Sequence, residues 1–103
     1  MSIKALDEAA SLCISRDICS LIGNTPMLDI TSAFTTSEQH VYAKLEMYNP
    51  TFSIKDRIVK YMIEQAELRG ELTPGCTIVE ASSGNTGASL AFIARQKGYQ
   101  CLV

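Results

Sequence analysis

The 103-residue chain has no excess of positive charge, since 9 Lys and Arg residues face 11 Asp and Glu residues and leave a formal net charge of −2. Proteins that bind nucleic acid through its phosphates need clustered cations, so this balance argues against that class. Long apolar runs are also lacking, and no segment approaches the roughly 20 apolar residues of a membrane-spanning helix. With 47% hydrophobic and 19% charged residues, the composition predicts a soluble globular chain.

Clustered metal ligands are missing as well. No CxxC pair is present, and the one histidine, His40, is distant in sequence from every cysteine. The sequence therefore predicts no metal site. The cysteines are expected to be reduced and mostly buried. They are Cys13, Cys19, Cys76 and Cys101. The N-terminus lacks a basic stretch followed by an apolar core, so we expect no secretory signal and a cytoplasmic location.

The N-terminal half contains two candidate strands and a polar connection. Residues 1–20 are predicted to form an arm or a short helix, because apolar and charged residues follow each other at loosely helical spacing. After a turn at 23–26, residues 27–30 are a short strand candidate and 31–39 a polar loop. Residues 40–46 alternate with the period of a strand. The side chains expected on one face of that strand are Val41, Ala43 and Leu45.

A helix is predicted from about Ile54 to Gly70. Ser53 and Asp56 form an S-x-x-D pattern, in which a hydroxyl and a carboxylate accept hydrogen bonds from amides that are unpaired at a helix start. Gly70 is a natural C-terminal stop. Apolar residues recur every four positions, which predicts a face packed against the core. These residues are Ile54, Ile58, Met62 and Ala66, with Val59 and Ile63 beside them.

The last third of the chain is predicted as strand, helix and strand. The β-branched run 77–81 is too short for a helix and apolar enough for a buried parallel strand. Residues 86–97 are apolar on nearly all sides and precede Gly98, which predicts a deeply packed helix with a glycine cap. Cys101 begins a second strand. The fold class is therefore α/β, a parallel sheet with flanking helices. Because such a sheet needs both faces covered, we expect the chain to be incomplete or to need a partner chain.

A polar loop with glycines links the first of these strands to the helix, at the strand end where open α/β sheets bind ligands. Glycine lets a ligand approach the backbone, and the unpaired amides of a helix start attract anions. The loop therefore predicts a site for a carboxylate or a phosphate. The alternative is a purely structural helix cap with turn glycines. The candidate residues are Ser82, Ser83, Gly84, Asn85, Thr86 and Gly87.

Lys55 is the second candidate for a functional role. It lies in the first turn of the predicted helix, where the helix dipole disfavours a cation by about 0.3–1 kcal/mol. This position, together with partial burial, favours a neutral and nucleophilic amine that can bond covalently to an aldehyde cofactor. The alternative is a solvated lysine paired with Asp56 or Glu46.

The two candidates lie in motifs that resemble those of one family. Residues 49–57 have the sequence NPTFSIKDR, residues 80–87 have EASSGNTG, and residues 22–26 have IGNTP. In this order the motifs resemble the cysteine synthase and cystathionine β-synthase family, which are fold-type II enzymes that depend on pyridoxal phosphate. The resemblance covers residues 22–103, and it implies that 21–103 form the N-terminal part of a catalytic region.

The resemblance implies a role for each candidate. Lys55 would form a Schiff base with pyridoxal phosphate and move the substrate α-proton, while Asn85 would contact the ring hydroxyl of the cofactor. The substrate α-carboxylate would be held by Ser82, Ser83, Gly84, Asn85 and Thr86. The implied reaction is β-replacement on an O-activated serine, with O-acetylserine and sulfide as the first choice. Serine with homocysteine, phosphoserine with another nucleophile, and diaminopropionate formation are alternatives.

Three residues depart from the family pattern. Phe52 stands where the family usually has glycine, and its ring could narrow the site. Ser82 stands where threonine is usual, and Ala81 where proline is common. The family's cofactor-phosphate loop would lie beyond Val103, so we expect the chain alone to be inactive. A non-catalytic remnant or interaction module is the competing hypothesis, and the family implies a homodimer that acts on a small amino acid.

Overall fold

The computed structural model describes residues 14–34, 36 and 38–103. Most of the predicted arm, including Cys13, lies outside the described residues. The first regular element is a 3-10 helix, Ile18–Leu21, whose start is capped by Asp17. The Asp17 carboxylate accepts a hydrogen bond from the Cys19 amide at 2.9 Å.

Two short antiparallel strands follow, β1 (Met27–Asp29) and β2 (Tyr42–Lys44), with Met27 opposite Lys44. The segment between them was predicted as loop, and this is wrong at Thr31–Phe34, which forms a one-turn helix, α1. The cause is local: the Asp29 carboxylate accepts a hydrogen bond from the Thr31 amide at 2.9 Å. An Asp side chain that bonds to the backbone two residues on favours a turn of this kind.

A second helix, α2 (Lys55–Leu68), begins close to the predicted residue. The Ser53 hydroxyl accepts a hydrogen bond from the Lys55 amide at 3.1 Å, as the S-x-x-D pattern predicted. The second half of that prediction is wrong, because the Asp56 carboxylate accepts a hydrogen bond from the Thr51 amide at 2.8 Å instead. Asp56 is therefore turned into the protein, where it is fully buried.

The buried face of α2 differs from the prediction. Val59 and Ile63 are buried together with Asp56, whereas Ile58 and Met62 are 46% and 56% exposed. Neighbouring positions on a helix point about 100° apart, so the packed stripe lies one residue to the side of the predicted one. Both stripes contain apolar residues, and the buried stripe begins with a charged residue, Asp56. The sequence pattern alone therefore could not distinguish them.

The last three elements form the predicted strand, helix and strand. They are β3 (Thr77–Val79), α3 (Asn85–Lys97) and β4 (Gln100–Leu102), and β3 pairs with β4 in parallel. Gly98 caps α3 in the left-handed conformation, with φ of 82°, which confirms the predicted glycine stop. The prediction of a buried strand is wrong for β3 in this chain, because Val79 is 68% exposed.

Helices α2 and α3 pack side by side and run in the same direction. Near their starts, the Ser89 hydroxyl donates to the Asp56 carboxylate at 2.6 Å. Near their ends, the Lys97 amine donates to the Glu67 carboxylate at 2.8 Å. The apolar core lies between these two bridges and beside the 3-10 helix. Its buried members are Cys19, Ile22, Val59, Ile63, Leu90 and Ile93. Because the helices are parallel, Lys55 and the loop that precedes α3 lie at the same end of the pair.

The thiols of the described part of the chain are unpaired. Cys19 is buried, as predicted, while Cys76 and Cys101 are half-buried. Within residues 14–34, 36 and 38–103, no helix has the length and apolar character needed to span a bilayer.

Candidate functional site

The starts of α2 and α3 form the candidate site. Lys55 is the first residue of α2 and Asn85 the first residue of α3. Each helix start carries a partial positive charge from its unpaired amides, so two adjacent starts favour a bound anion. The structure therefore brings the two sequence-predicted candidates, the lysine and the polar loop, to one end of the helix pair.

Lys55 is half-buried and forms no salt bridge within the described part of the chain. The two carboxylates that the structural alternative assigned to it have other partners. Glu46 pairs with Arg57, and Asp56 accepts hydrogen bonds from Thr51 and Ser89. A lysine that no carboxylate neutralises in this way is available for a ligand.

The loop before α3 combines a structural cap with available donors. The Ser82 hydroxyl accepts hydrogen bonds from the amides of Gly87, at 3.1 Å, and Gly84, at 3.4 Å. Helix geometry leaves the next two amides, those of Asn85 and Thr86, without an intrahelical partner. Ser83 and Asn85 are exposed, so their side chains are also accessible. The cap and the anion site, which the sequence left as alternatives, are thus compatible in one loop.

Gly87 permits the close packing on which this loop depends. A Cβ atom at this position would lie 2.7 Å from the Ser82 carbonyl oxygen and 2.6 Å from a methyl group of Val103. Both distances are shorter than a carbon atom tolerates. The missing side chain lets the loop backbone lie directly against the first turn of α3, so Gly87 has a packing role there.

A second polar cluster, which sequence reasoning missed, joins the IGNTP motif to α2. The Arg57 guanidinium binds the Glu46 carboxylate at 2.8 Å and 3.1 Å in a two-pronged contact. Thr25 donates to the same carboxylate at 2.6 Å, and Asn49 donates to it at 2.9 Å. Asn49 also accepts a hydrogen bond from the Gly23 amide at 2.9 Å. The cluster thus holds the chain on both sides of Lys55, through Asn49 before it and Arg57 after it.

This cluster predicts a loss of stability in acid. Hydrogen bonds from Arg57 and then from Thr25 lower the pKa of Glu46 from 4.5 to about 2. A carboxyl group whose pKa is lowered by folding stabilises the fold above its unfolded pKa, and the stabilisation is lost as the pH falls toward the folded value. We therefore expect the free energy of unfolding to fall between about pH 4.5 and pH 2.

Urea unfolding of the intact protein over this pH range provides the measurement for Glu46. Glu46→Gln removes the titrating group, so this variant should be less stable at neutral pH and should show a shallower acid dependence. An unchanged pH dependence in the variant would contradict the role given to Glu46.

Phe52 has a backbone conformation that favours glycine. Its φ angle is 62°, in the left-handed region, and its ring is 81% exposed. The neighbouring residues hold it there, since the Phe52 amide donates to the Asn49 carbonyl at 2.8 Å and Ser53 is buried. A residue other than glycine therefore carries backbone strain at this position, and a ring that is so exposed offers little packing to offset it.

Phe52→Gly is expected to stabilise the protein. Removing the side chain relieves a strain of about 1–2 kcal/mol, the cost of a left-handed conformation for a non-glycine residue. Glycine is also more flexible in the unfolded chain, which lowers the stability by about 0.5–1 kcal/mol. The net increase in the free energy of unfolding should be about 0.5–1 kcal/mol. Phe52→Ala is the matched control, because it removes the ring but keeps the strained Cβ. Equal stability of the two variants would refute the strain argument.

The fold and the site together define a class. A parallel β3–α3–β4 unit with a polar, glycine-containing loop after the first strand is the ligand-binding arrangement of open α/β proteins. Lys55 at the start of α2 offers an amine that can bond to an aldehyde cofactor. The hydroxyls and amides at the start of α3 suit the carboxylate of an amino acid.

Comparison with known proteins identifies the family. The model of the family described as "Pyridoxal-phosphate dependent enzyme" matches residues 18–103. The chain belongs to this family, which confirms the resemblance seen in the motifs, the α/β fold class and, at the level of the family, the predicted cofactor.

Two curated relatives show which enzymes of this family the chain is similar to. The chain is 46% identical over 86 residues to the cysteine synthase of Staphylococcus aureus, an alignment that covers 84% of this chain and 28% of that protein. It is 45% identical over 92 residues to the cystathionine beta-synthase of Apis mellifera, covering 87% of this chain and 18% of the relative. The chain thus spans less than a third of the length of these relatives.

Solved structures agree with the fold. The chain matches the crystal structure of an O-ureido-L-serine synthase with a TM-score of 0.78 and 39% identity, over 85% of this chain and 28% of that one. It matches a hydrogen sulfide-producing enzyme from Fusobacterium nucleatum with a TM-score of 0.79 and 42% identity, over 89% of this chain and 30% of that one.

Proposed function

We propose that the intact protein catalyses a pyridoxal-phosphate-dependent β-replacement on an O-activated serine. The observation that carries this proposal is that Lys55, at the start of α2, and the polar loop, at the start of α3, lie at the same end of two parallel helices. The named activities of the relatives support it, since they are cysteine synthase, cystathionine beta-synthase and O-ureido-L-serine synthase. Residues 21–103 would then be the N-terminal part of the catalytic region, preceded by the arm at residues 1–20.

Lys55 is the residue to which this proposal assigns the covalent hold on the cofactor. Lys55 is half-buried and has no carboxylate partner among the described residues, so its amine can reach an aldehyde without first breaking a salt bridge there. When bound, pyridoxal phosphate acts as an electron sink for the bond that breaks at the substrate α-carbon. Once the substrate amino group has displaced Lys55 from the cofactor aldehyde, the freed Lys55 amine would accept the α-proton. The exposed side-chain amide of Asn85 would bind the hydroxyl of the cofactor ring.

The loop before α3 is assigned to the α-carboxylate of the substrate. The amides of Asn85 and Thr86 face no intrahelical acceptor, and the hydroxyls of Ser82, Ser83 and Thr86 add side-chain donors. The Ser82 oxygen already accepts hydrogen bonds from Gly84 and Gly87, which leaves its proton available for the ligand. Gly84 has no neighbour within 4 Å of a Cβ position, so the backbone there is open to a ligand.

O-acetylserine with sulfide is the substrate pair that we propose first, because cysteine synthases are among the relatives with 46% identity. Serine with homocysteine is the second choice, supported by the similarity to cystathionine beta-synthases. Phosphoserine with another nucleophile and diaminopropionate formation remain alternatives. A cytoplasmic location belongs to the same proposal, as does a homodimer, which the family resemblance implies.

A spectral titration of the intact protein tests the loop. Thr86→Ala should weaken the absorbance change on adding O-acetylserine and raise the half-saturating concentration by about tenfold, for a lost carboxylate contact of about 1.5 kcal/mol. Asn85→Ala, which removes the side chain assigned to the ring hydroxyl of the cofactor, should weaken the response as well. The cofactor should stay bound. Gln96→Ala is a matched control, because Gln96 is an exposed amide at the opposite end of α3.

An unaltered half-saturating concentration in both loop variants would count against the carboxylate site. Absence of any spectral response in the parent protein to each candidate amino acid would favour the non-catalytic alternative.

A further inference from the structure

Two hydrogen-bonded bridges join α2 to α3, and they differ in burial. The bridge at the helix ends, between Glu67 and Lys97, is partly exposed, with side chains 30% and 25% accessible. The bridge at the helix starts, between Asp56 and Ser89, has no exposed surface at all. Only the second one lies next to Lys55.

The buried bridge has an unusual composition. Asp56 is a carboxylate with no salt-bridge partner among the described residues, and a buried charge of this kind is costly unless hydrogen bonds surround it. Its donors are the Ser89 hydroxyl at 2.6 Å, the Thr51 amide at 2.8 Å and the Thr51 hydroxyl. The Thr51 and Ser89 hydroxyls also contact each other at 3.1 Å.

The three residues of this network belong to three parts of the site. Thr51 lies in the segment before α2, Asp56 is the residue after Lys55, and Ser89 lies on the first turns of α3 beyond the polar loop. An apolar contact would hold two helices together equally well, because buried polar groups often add little net stability. What hydrogen bonds add is direction, since each one fixes both a distance and an angle.

We infer that the network of Thr51, Asp56 and Ser89 is a positioning device that sets the place of the Lys55 amine relative to the polar loop. This inference rests on the proposed function and extends it to three residues to which that function assigns no contact with cofactor or substrate. The peptide unit that Lys55 shares with Asp56 is tied to α3 through Ser89. The start of α2 is tied to the preceding segment through Thr51.

Removing one hydroxyl from the network should let the start of α2 shift against α3. A displacement of about 1 Å in a reacting group can cost 10²-fold in rate, so even a partial shift should be measurable at Lys55. The Glu67 and Lys97 bridge provides the comparison, because breaking it loosens the same two helices at the end remote from Lys55.

The experiment uses the intact protein stripped of cofactor. Each variant is incubated with graded concentrations of pyridoxal phosphate and reduced with borohydride, and the pyridoxyl adduct on Lys55 is measured by peptide mapping. The variants are Ser89→Ala, Thr51→Val, Thr51→Ser and the control Glu67→Gln, and the melting temperature of each is recorded. Thr51→Val is close in shape to the parent and serves if Ser89→Ala does not fold.

Ser89→Ala and Thr51→Val should raise the concentration for half-maximal labelling by about tenfold, because Lys55 is misplaced. Thr51→Ser, which keeps the hydroxyl, should restore the parent value, and Glu67→Gln should match the parent even if it melts earlier. Labelling of Ser89→Ala and Thr51→Val that equals that of Glu67→Gln would overturn the inference and leave the proposed function intact. Absence of any Lys55 adduct in the parent protein would overturn both.

Discussion

Lys55→Ala should give a colourless protein that loses pyridoxal phosphate on dialysis. Lys55 is the only residue that we propose to bind the cofactor covalently, so no other contact should retain the cofactor firmly. Turnover should fall by about 10²–10⁴-fold, the range for loss of a positioned proton-transfer group. Absorbance after dialysis and the rate with O-acetylserine and sulfide are the measurements.

Lys60→Ala is the control for this prediction. Lys60 lies on the same helix and is 29% exposed, with Glu64 at 4.0 Å as its partner. Its replacement should leave both colour and turnover unchanged. A Lys55→Ala protein that stays yellow after dialysis would refute the assignment of Lys55.

Gly87→Ala should disrupt the loop before α3. The new methyl group would lie 2.7 Å from the Ser82 carbonyl oxygen, so the loop backbone or the helix start must move. Overpacking of this kind costs about 1–3 kcal/mol, and we expect a net loss in spite of the roughly 1 kcal/mol that alanine gains over glycine in a helix. The spectral response to amino acids should weaken as well, since the Ser82 cap is displaced.

Gly84→Ala is the matched stability control for Gly87→Ala. A Cβ atom at Gly84 meets no atom within 4 Å, and the residue has a negative φ of −125°. Urea unfolding should therefore show a loss for Gly87→Ala and little change for Gly84→Ala. A Gly87→Ala variant as stable as the parent would show that the loop adjusts without cost.

The sequence predicts the C-terminal third of the chain well because its signals are local. The β-branched run of β3 and the glycine after α3 each act within a few residues of the element they mark, and the structure contains the elements where these signals place them. The structure also brings Lys55 and the polar loop, the two candidates from the sequence, to the same end of a parallel helix pair.

The features that the sequence did not predict depend on distant partners. Glu46 and Arg57 meet across 11 residues, and Thr25 joins them from 32 residues before Arg57, so no local spacing marks the cluster. The buried stripe of α2 was misplaced because it begins with a charged residue, Asp56, whose burial is made tolerable by hydrogen bonds from Thr51 and Ser89. The left-handed backbone conformation of Phe52 could not be predicted either, because bulky residues usually avoid that conformation.

Borohydride reduction of the unmodified protein followed by peptide mapping tests the central claim most directly. We predict one pyridoxyl adduct, on the peptide that contains Lys55, and none on any other lysine. An adduct on a different lysine, or no adduct on a protein that contains cofactor, would contradict it.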